Sequence, residues 1–177
     1  MTKDRLLSRL IHHVGFHVPD LQAAVDTWVD VHGAGPFYLL EHVAFDECTS
    51  SGSPLTWDHS AAFGQCGPIA VELQQVHSLR PQELAPLLTA EGRSAVNHVG
   101  VTADDAAAES TRLQSLGFEL RVHARLGELE FFWHDTTAAF GYALEVITAA
   151  PAFDAFWDTV AEGARDWDGR DRLRSAA

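Results

Sequence analysis

The first half of the sequence is echoed by the second. Ile11-His12-His13-Val14-Gly15-Phe16-His17-Val18 is answered by Val96-Asn97-His98-Val99-Gly100-Val101-Thr102, with His13 and His98 eighty-five residues apart. In each copy an acidic residue, Asp20 or Asp105, stands seven positions after that His and opens a helical stretch. A second phrase closes each half: Gly67-Pro68-Ile69-Ala70-Val71-Glu72-Leu73, then Gly141-Tyr142-Ala143-Leu144-Glu145-Val146. A repeated supersecondary unit leaves an apolar face that only a neighbouring unit can cover, so the two halves are expected to pack together. The repeat also puts one His and one Glu at matched points of each half, which points to four ligands meeting at the junction.

The periodicity within each half supports one element order. Residues 10–18 alternate as a strand, with His13, Gly15 and His17 on one face. Pro19-Asp20 opens a helix whose Leu21, Ala24, Val25, Trp28, Val29 and His32 recur at helical spacing, and Gly33 and Gly35-Pro36 stop it. Strands are expected at about 37–46, 55–65 and 68–76, separated by turn-rich Thr49–Pro54 and Gly64–Pro68. The second half repeats the order: a strand at 96–102, a helix at 104–116, and strands at about 118–126, 129–135 and 140–148. In the second helix Leu113 and Leu116 match Trp28 and Val31. The expected fold class is therefore α+β: two pseudo-symmetric β-α-β-β-β modules forming a cupped mixed sheet, with an extra C-terminal helix. A single domain over 1–177 divides into module one at about 9–76, a linker at 77–95 with a short helix, module two at about 96–148, and a C-terminal helix and tail at 151–177. Phe153, Phe156, Trp157, Val160 and Ala164 form the stripe of that last helix; the tail 166–171 is polar and turn-prone.

Composition narrows the function classes. A chain of 177 residues with 46% hydrophobic and 21% charged residues can build a core without disulfides. Cys48 and Cys66 have neither framework nor zinc-knuckle spacing, and reduced thiols in a cytoplasmic protein are expected. The charged start, Met1–Arg5, leads to no apolar h-region, and no apolar run approaches the ~20 residues of a membrane span. A net charge of −13 argues against the nucleic-acid backbone as a partner. A small-molecule substrate is the expected partner, with a homodimer as the assembly to consider.

His13, Glu72, His98 and Glu145 make a mixed nitrogen and oxygen set suited to one divalent ion such as Zn, Ni, Co, Fe or Mn, and too oxygen-poor for a calcium cage. Both Glu residues stand among apolar neighbours, and burying a carboxylate there is costly unless a positive charge holds it. His17 shares the strand face of His13. Of Glu41 and His42, adjacent on the second strand, at most one can face the cup. His59 and Gln65 lie on the third strand and its exit. Tyr38, Trp57, Phe131 and Trp133 could supply apolar walls. His77 and His134 fall at loop edges.

The runs Leu10–Asp20, Gly64–Gln74, Val96–Asp105 and Gly141–Val146 resemble the vicinal oxygen chelate superfamily, over about residues 9–150. That superfamily includes glyoxalase I, methylmalonyl-CoA epimerase, fosfomycin resistance enzymes, bleomycin-binding proteins and extradiol dioxygenases. The resemblance implies paired β-α-β-β-β modules with metal ligands on the first and last strand of each, the strands that carry His13, Glu72, His98 and Glu145 here. It further implies a metal-dependent lyase or isomerase, epimerase-like, that removes a proton beside a carbonyl and stabilises the resulting enolate. By resemblance Glu145 is the leading base and Glu72 its counterpart. His17, His42, His59, Gln65, Tyr38 and Trp133 are the weaker substrate-pocket candidates. The sequence departs from the best-known members in lacking a basic cluster for coenzyme A phosphate or a glutathione carboxylate; Lys3 is its only Lys. A smaller or more apolar substrate is expected. The alternatives are a metal-free sequestering protein, to which the acidic charge is suited, and a ferrous dioxygenase with a two-His-one-carboxylate triad.

Overall fold

The computed structural model describes residues 11–176; the charged start, Lys3 and Leu10 lie outside the described residues. Strand β1 (Ile11–His17) leads into helix α1 (Leu21–His32), then β2 (Phe37–Leu40), β3 (Glu47–Ser50), β4 (Ser53–Pro54), β5 (Thr56–Cys66) and β6 (Ile69–Arg80). A 3-10 turn, Gln82–Leu84, runs into the short helix α2 (Ala85–Leu88). The second half comprises β7 (Ala95–Ala103), α3 (Ala106–Ser115), β8 (Leu120–Leu126), β9 (Leu129–His134), α4 (Thr137–Phe140) and β10 (Ala143–Thr148). Helix α5 (Pro151–Gly163) and strand β11 (Leu173–Ser175) follow.

All strands join one curved mixed sheet in the order β11-β2-β5-β6-β1-β7-β10-β9-β8-β3-β4. The two halves meet at β1 and β7, which pair antiparallel. On either side the last strand of each half lies parallel to the first: β6 beside β1 and β10 beside β7. The expected α+β architecture is what forms. The repeat-related acids have a local role. Asp20 Oδ1 accepts from the Ala23 amide and Asp105 Oδ1 from the Ala108 amide, each at 2.9 Å, which caps the two matched helices. Val18, Leu21, Val25, Phe37, Val71 and Leu73 pack beneath α1, and Val101, Ala106, Leu113, Phe132 and Val146 beneath α3.

Several local expectations change. The strand expected at about 37–46 stops at Leu40, and residues 41–46 form a loop. Residues 49–54, read as a turn, belong to β3 and β4 and their connection. Strand β3 pairs with β8 of the other half, so local turn chemistry yields to a long-range partner. Val31 and Leu116 are exposed rather than packed. Ala164 lies just past α5 as its C-cap. Part of the polar tail forms β11, parallel to β2.

Candidate metal centre

Strand alternation turns His13 and Gly15 toward the interior, and both pairings of β1 place the site around them. Gly15 stands opposite Glu72 on β6 and opposite His98 on β7. Gly100 stands opposite His13 on β1 and opposite Glu145 on β10. Each row therefore reads carboxylate, glycine, imidazole across three strands. Where a Cβ would project from Gly15, the ring of His98 lies instead; the ring of His13 fills the same space over Gly100. The glycine two positions after each His leaves room for the imidazole of the other half.

The four side chains converge. His13 Nε2 and His98 Nε2 are 3.0 Å apart. Glu72 Oε2 lies 3.2 Å from the first and 3.3 Å from the second. Glu145 Oε2 lies 3.4 Å and 3.6 Å from them. Donors on a tetrahedral ion bound at about 2.0–2.1 Å stand about 3.3–3.4 Å from one another, so these separations fit a shared divalent ion. All four residues are buried, and the buried His13, Glu72 and His98 group could hold a metal ion.

The outer partners fix which atoms face inward. Asn97 Oδ1 lies 2.8 Å from His98 Nδ1. An amide oxygen can only accept, so Nδ1 carries the proton and Nε2 presents its lone pair to the centre. The Asn97 Nδ2 group donates to Gln74 Oε1 at 3.1 Å and to the Leu88 carbonyl at 3.3 Å. Gln74 Nε2 donates to Glu72 Oε1 at 2.7 Å. One chain of directed hydrogen bonds thus runs from His98 through Asn97 and Gln74 to Glu72. In the other half His12 Nδ1 lies 3.3 Å from His13 Nδ1, and Trp133 Nε1 donates to Glu145 Oε1 at 2.7 Å. Burial and the neighbouring His13 push His12 down to about 4, which keeps it neutral.

His13 and Glu72 favour each other's charged forms. Burial alone would lower His13, but the hydrogen bonds its ring donates to Glu145 and Glu72 outweigh it and raise the imidazole to about 9. Burial likewise works against the Glu72 carboxylate, yet His13 and His98 hold its pKa well below the usual range. A metal dication would take over the charge that a proton supplies in its absence.

The centre opens on a cavity of about 240 Å³. His13, Glu72, Gln74 and Glu145 reach it, and Phe45, Trp57, His59, Phe63, Phe131, Phe153, Phe156 and Trp157 line it together with aliphatic side chains. None of the lining residues is Lys or Arg. Helix α5 covers this side of the sheet, with Trp157 stacked on His13 at 5.3 Å between ring centroids.

The weaker candidates scatter. His59 lines the cavity, buried and stacked on Trp57. Trp57 and Phe131 line it too, whereas Trp133 lies fully buried behind Glu145. His17 is buried outside the cavity lining, and Tyr38 sits beneath the end of α5 near Gly163. Gln65 bonds back to the Gly67 carbonyl in the β5–β6 turn. Glu41 and His42 stand in the loop after β2, and neither lines the cavity. His134, expected at a loop edge, is fully buried between the Phe118 carbonyl and Ser110 Oγ. Gln74, Asn97 and His12 were not singled out from the sequence. Gln74 could have been, since it shares a strand face with Glu72.

The sequence matches the family model of the Glyoxalase/Bleomycin resistance protein/Dioxygenase superfamily over residues 12–132. Among solved structures, methylmalonyl-CoA epimerase from Mycobacterium tuberculosis superposes with a TM-score of 0.53 at 19% identity, covering 81% of this chain and 89% of that one. A hypothetical protein from Bacillus halodurans C-125 gives 0.56 at 14% identity, covering 81% and 96%. At these identities the likeness is one of fold. No curated protein matches the sequence. Among the described residues no helix is long and apolar enough to cross a membrane.

Proposed function

The chain belongs to the Glyoxalase/Bleomycin resistance protein/Dioxygenase superfamily, and we propose that it is a metal-dependent isomerase or lyase that removes a proton beside a carbonyl group of a small, largely apolar molecule. The observation that carries this reading is the convergence of two imidazoles and two carboxylates at the floor of an aromatic cavity. His13, Glu72, His98 and Glu145 would hold the ion. When bound, a divalent cation there would supply a Lewis acid for negative charge developing on a substrate oxygen.

The chain's own residues divide the remaining work. Glu145 is the base. Its Oε2 stands farther from both imidazoles than that of Glu72, so it is the more loosely held carboxylate, and it reaches the cavity. Trp133 fixes its other oxygen and so its direction. Glu72, tied to Gln74, is the firmer ligand. The aromatic side chains around Glu145 give its carboxylate a largely apolar surround. A wall without Lys or Arg gives no anchor for phosphate or carboxylate handles, which supports a compact neutral substrate.

The test is hydrogen–deuterium exchange. The metal-loaded protein is incubated in D2O with a panel of small carbonyl compounds, and exchange at the carbon beside the carbonyl is followed by NMR. Wild type should exchange at least one compound. Glu145→Gln should bind metal and the same compound but lose exchange. Retained exchange in Glu145→Gln with loss in Glu72→Gln would reverse the two roles. Tight binding of panel compounds without exchange or turnover would replace this reading with sequestration.

A further inference from the structure

A second cluster of metal-type donors lies in the first half, away from the cavity floor. His42, Asp58 and His77 bring donor atoms within 4.8 Å of one another. They come from three separate segments: the loop after β2, strand β5 and strand β6. Two local irregularities create the meeting. His77 is the extra residue of a β-bulge, because Asp58 pairs with Ser78 while the next residue, His59, pairs with Val76. Bulges re-aim side chains that regular alternation would send elsewhere. His42 has a φ of +48°, a left-handed conformation uncommon for a residue other than glycine.

Ser60 and Asp58 hold this arrangement. The His42 amide donates to Ser60 Oγ at 3.1 Å, and the same oxygen lies 2.8 Å from His77 Nε2. His42 Nδ1 lies 2.7 Å from Asp58 Oδ1. The two imidazole rings face each other with centroids 4.7 Å apart. We infer that His42, Asp58 and His77 form a second binding site, for a divalent transition-metal ion held by two imidazoles and one carboxylate. Zinc, copper, nickel and cobalt suit that donor set, and magnesium and calcium do not. The side chains are far more accessible than the buried centre, so the site binds more weakly and exchanges with solution metal.

The site also acts on the cavity. Val43 and Phe45, just past His42, form part of its wall. An ion joining His42 to β5 and β6 fastens the 41–46 loop to the sheet and stiffens that wall.

The experiment is calorimetric titration of the metal-free full chain with Zn²⁺, alongside backbone amide exchange over residues 41–46. Wild type should bind two equivalents, one tight and one weak. His77→Ala and His42→Ala should each lose the weak equivalent and keep the tight one. Added Zn²⁺ should slow amide exchange in 41–46 in wild type and leave it unchanged in His77→Ala. If the buried centre took no metal, one equivalent would remain and His77→Ala would abolish it, which would contradict the proposed reaction and uphold this site. A weak equivalent that persists in both His variants, or its absence from wild type, overturns the inference.

Discussion

Gly15 and His98 occupy each other's space across the junction of the two halves: the imidazole ring lies where a Cβ on Gly15 would project. Gly100 and His13 repeat the relationship with the halves exchanged. A side chain at either glycine would displace the imidazole ring that lies against it. Gly15→Ala and Gly100→Ala are therefore expected to abolish tight metal binding, and calorimetry with Zn²⁺ checks this. Gly67→Ala serves as a control, because its Cβ would meet nothing within 4 Å, although its φ of +56° adds some backbone strain. Metal binding that survives in Gly15→Ala would show that the ring is free to move aside.

The outer hydrogen bonds should govern affinity without supplying a ligand. Asn97→Ala removes the acceptor that fixes the His98 tautomer, and Gln74→Leu removes the donor to Glu72. Each is expected to weaken Zn²⁺ binding by about 10–100-fold, the usual cost of losing such a partner. Because the two belong to one chain of bonds, Asn97→Ala combined with Gln74→Leu should cost less than the product of the single effects. Fully multiplicative losses would show that the chain does not act as a unit.

In the metal-free protein the raised pKa of His13 sets a pH dependence with a definite sign. Its folded-state value is about 9, above the ordinary 6.5. The stability that protonation confers is fully present below pH 6.5 and is lost as pH rises through about 9. Urea unfolding of metal-free wild type should show that decline, and His13→Gln should flatten it. Zinc binding at pH 7.5 should release a proton from the site, measurable as a dependence of the calorimetric enthalpy on the buffer's ionisation enthalpy. No proton release would mean that His13 is neutral before the ion arrives.

The repeat made the fold and the meeting of the four residues legible, because matched phrases imply matched strands. Strand alternation correctly turned His13, Gly15 and His17 inward. It failed where the sheet is irregular. Asn97 and His12 are the extra residues of two bulges in the β1–β7 pairing, just before His98 and His13 respectively. Simple alternation sends them away from the neighbouring imidazole, yet each meets its Nδ1. His77, expected at a loop edge, instead lies inside β6 as its bulge residue, an irregularity that alternation does not reveal. The misjudged second strand has another cause. Residues 41–46 lie next to β3, and β3 takes its partner from the far half, a pairing that no local pattern encodes.

The central claim is one divalent ion held by His13, Glu72, His98 and Glu145, and metal content tests it most directly. The protein is purified without chelator, dialysed against metal-free buffer to strip weak sites, and analysed by elemental mass spectrometry beside His98→Ala and Glu72→Ala, with circular dichroism to confirm folding. The account predicts about one tightly held transition-metal ion per wild-type chain, as the four donors converge on a single point, and its loss from both folded variants. A wild type that retains no ion and takes up none on incubation with zinc, nickel, cobalt, manganese or ferrous salts would contradict it.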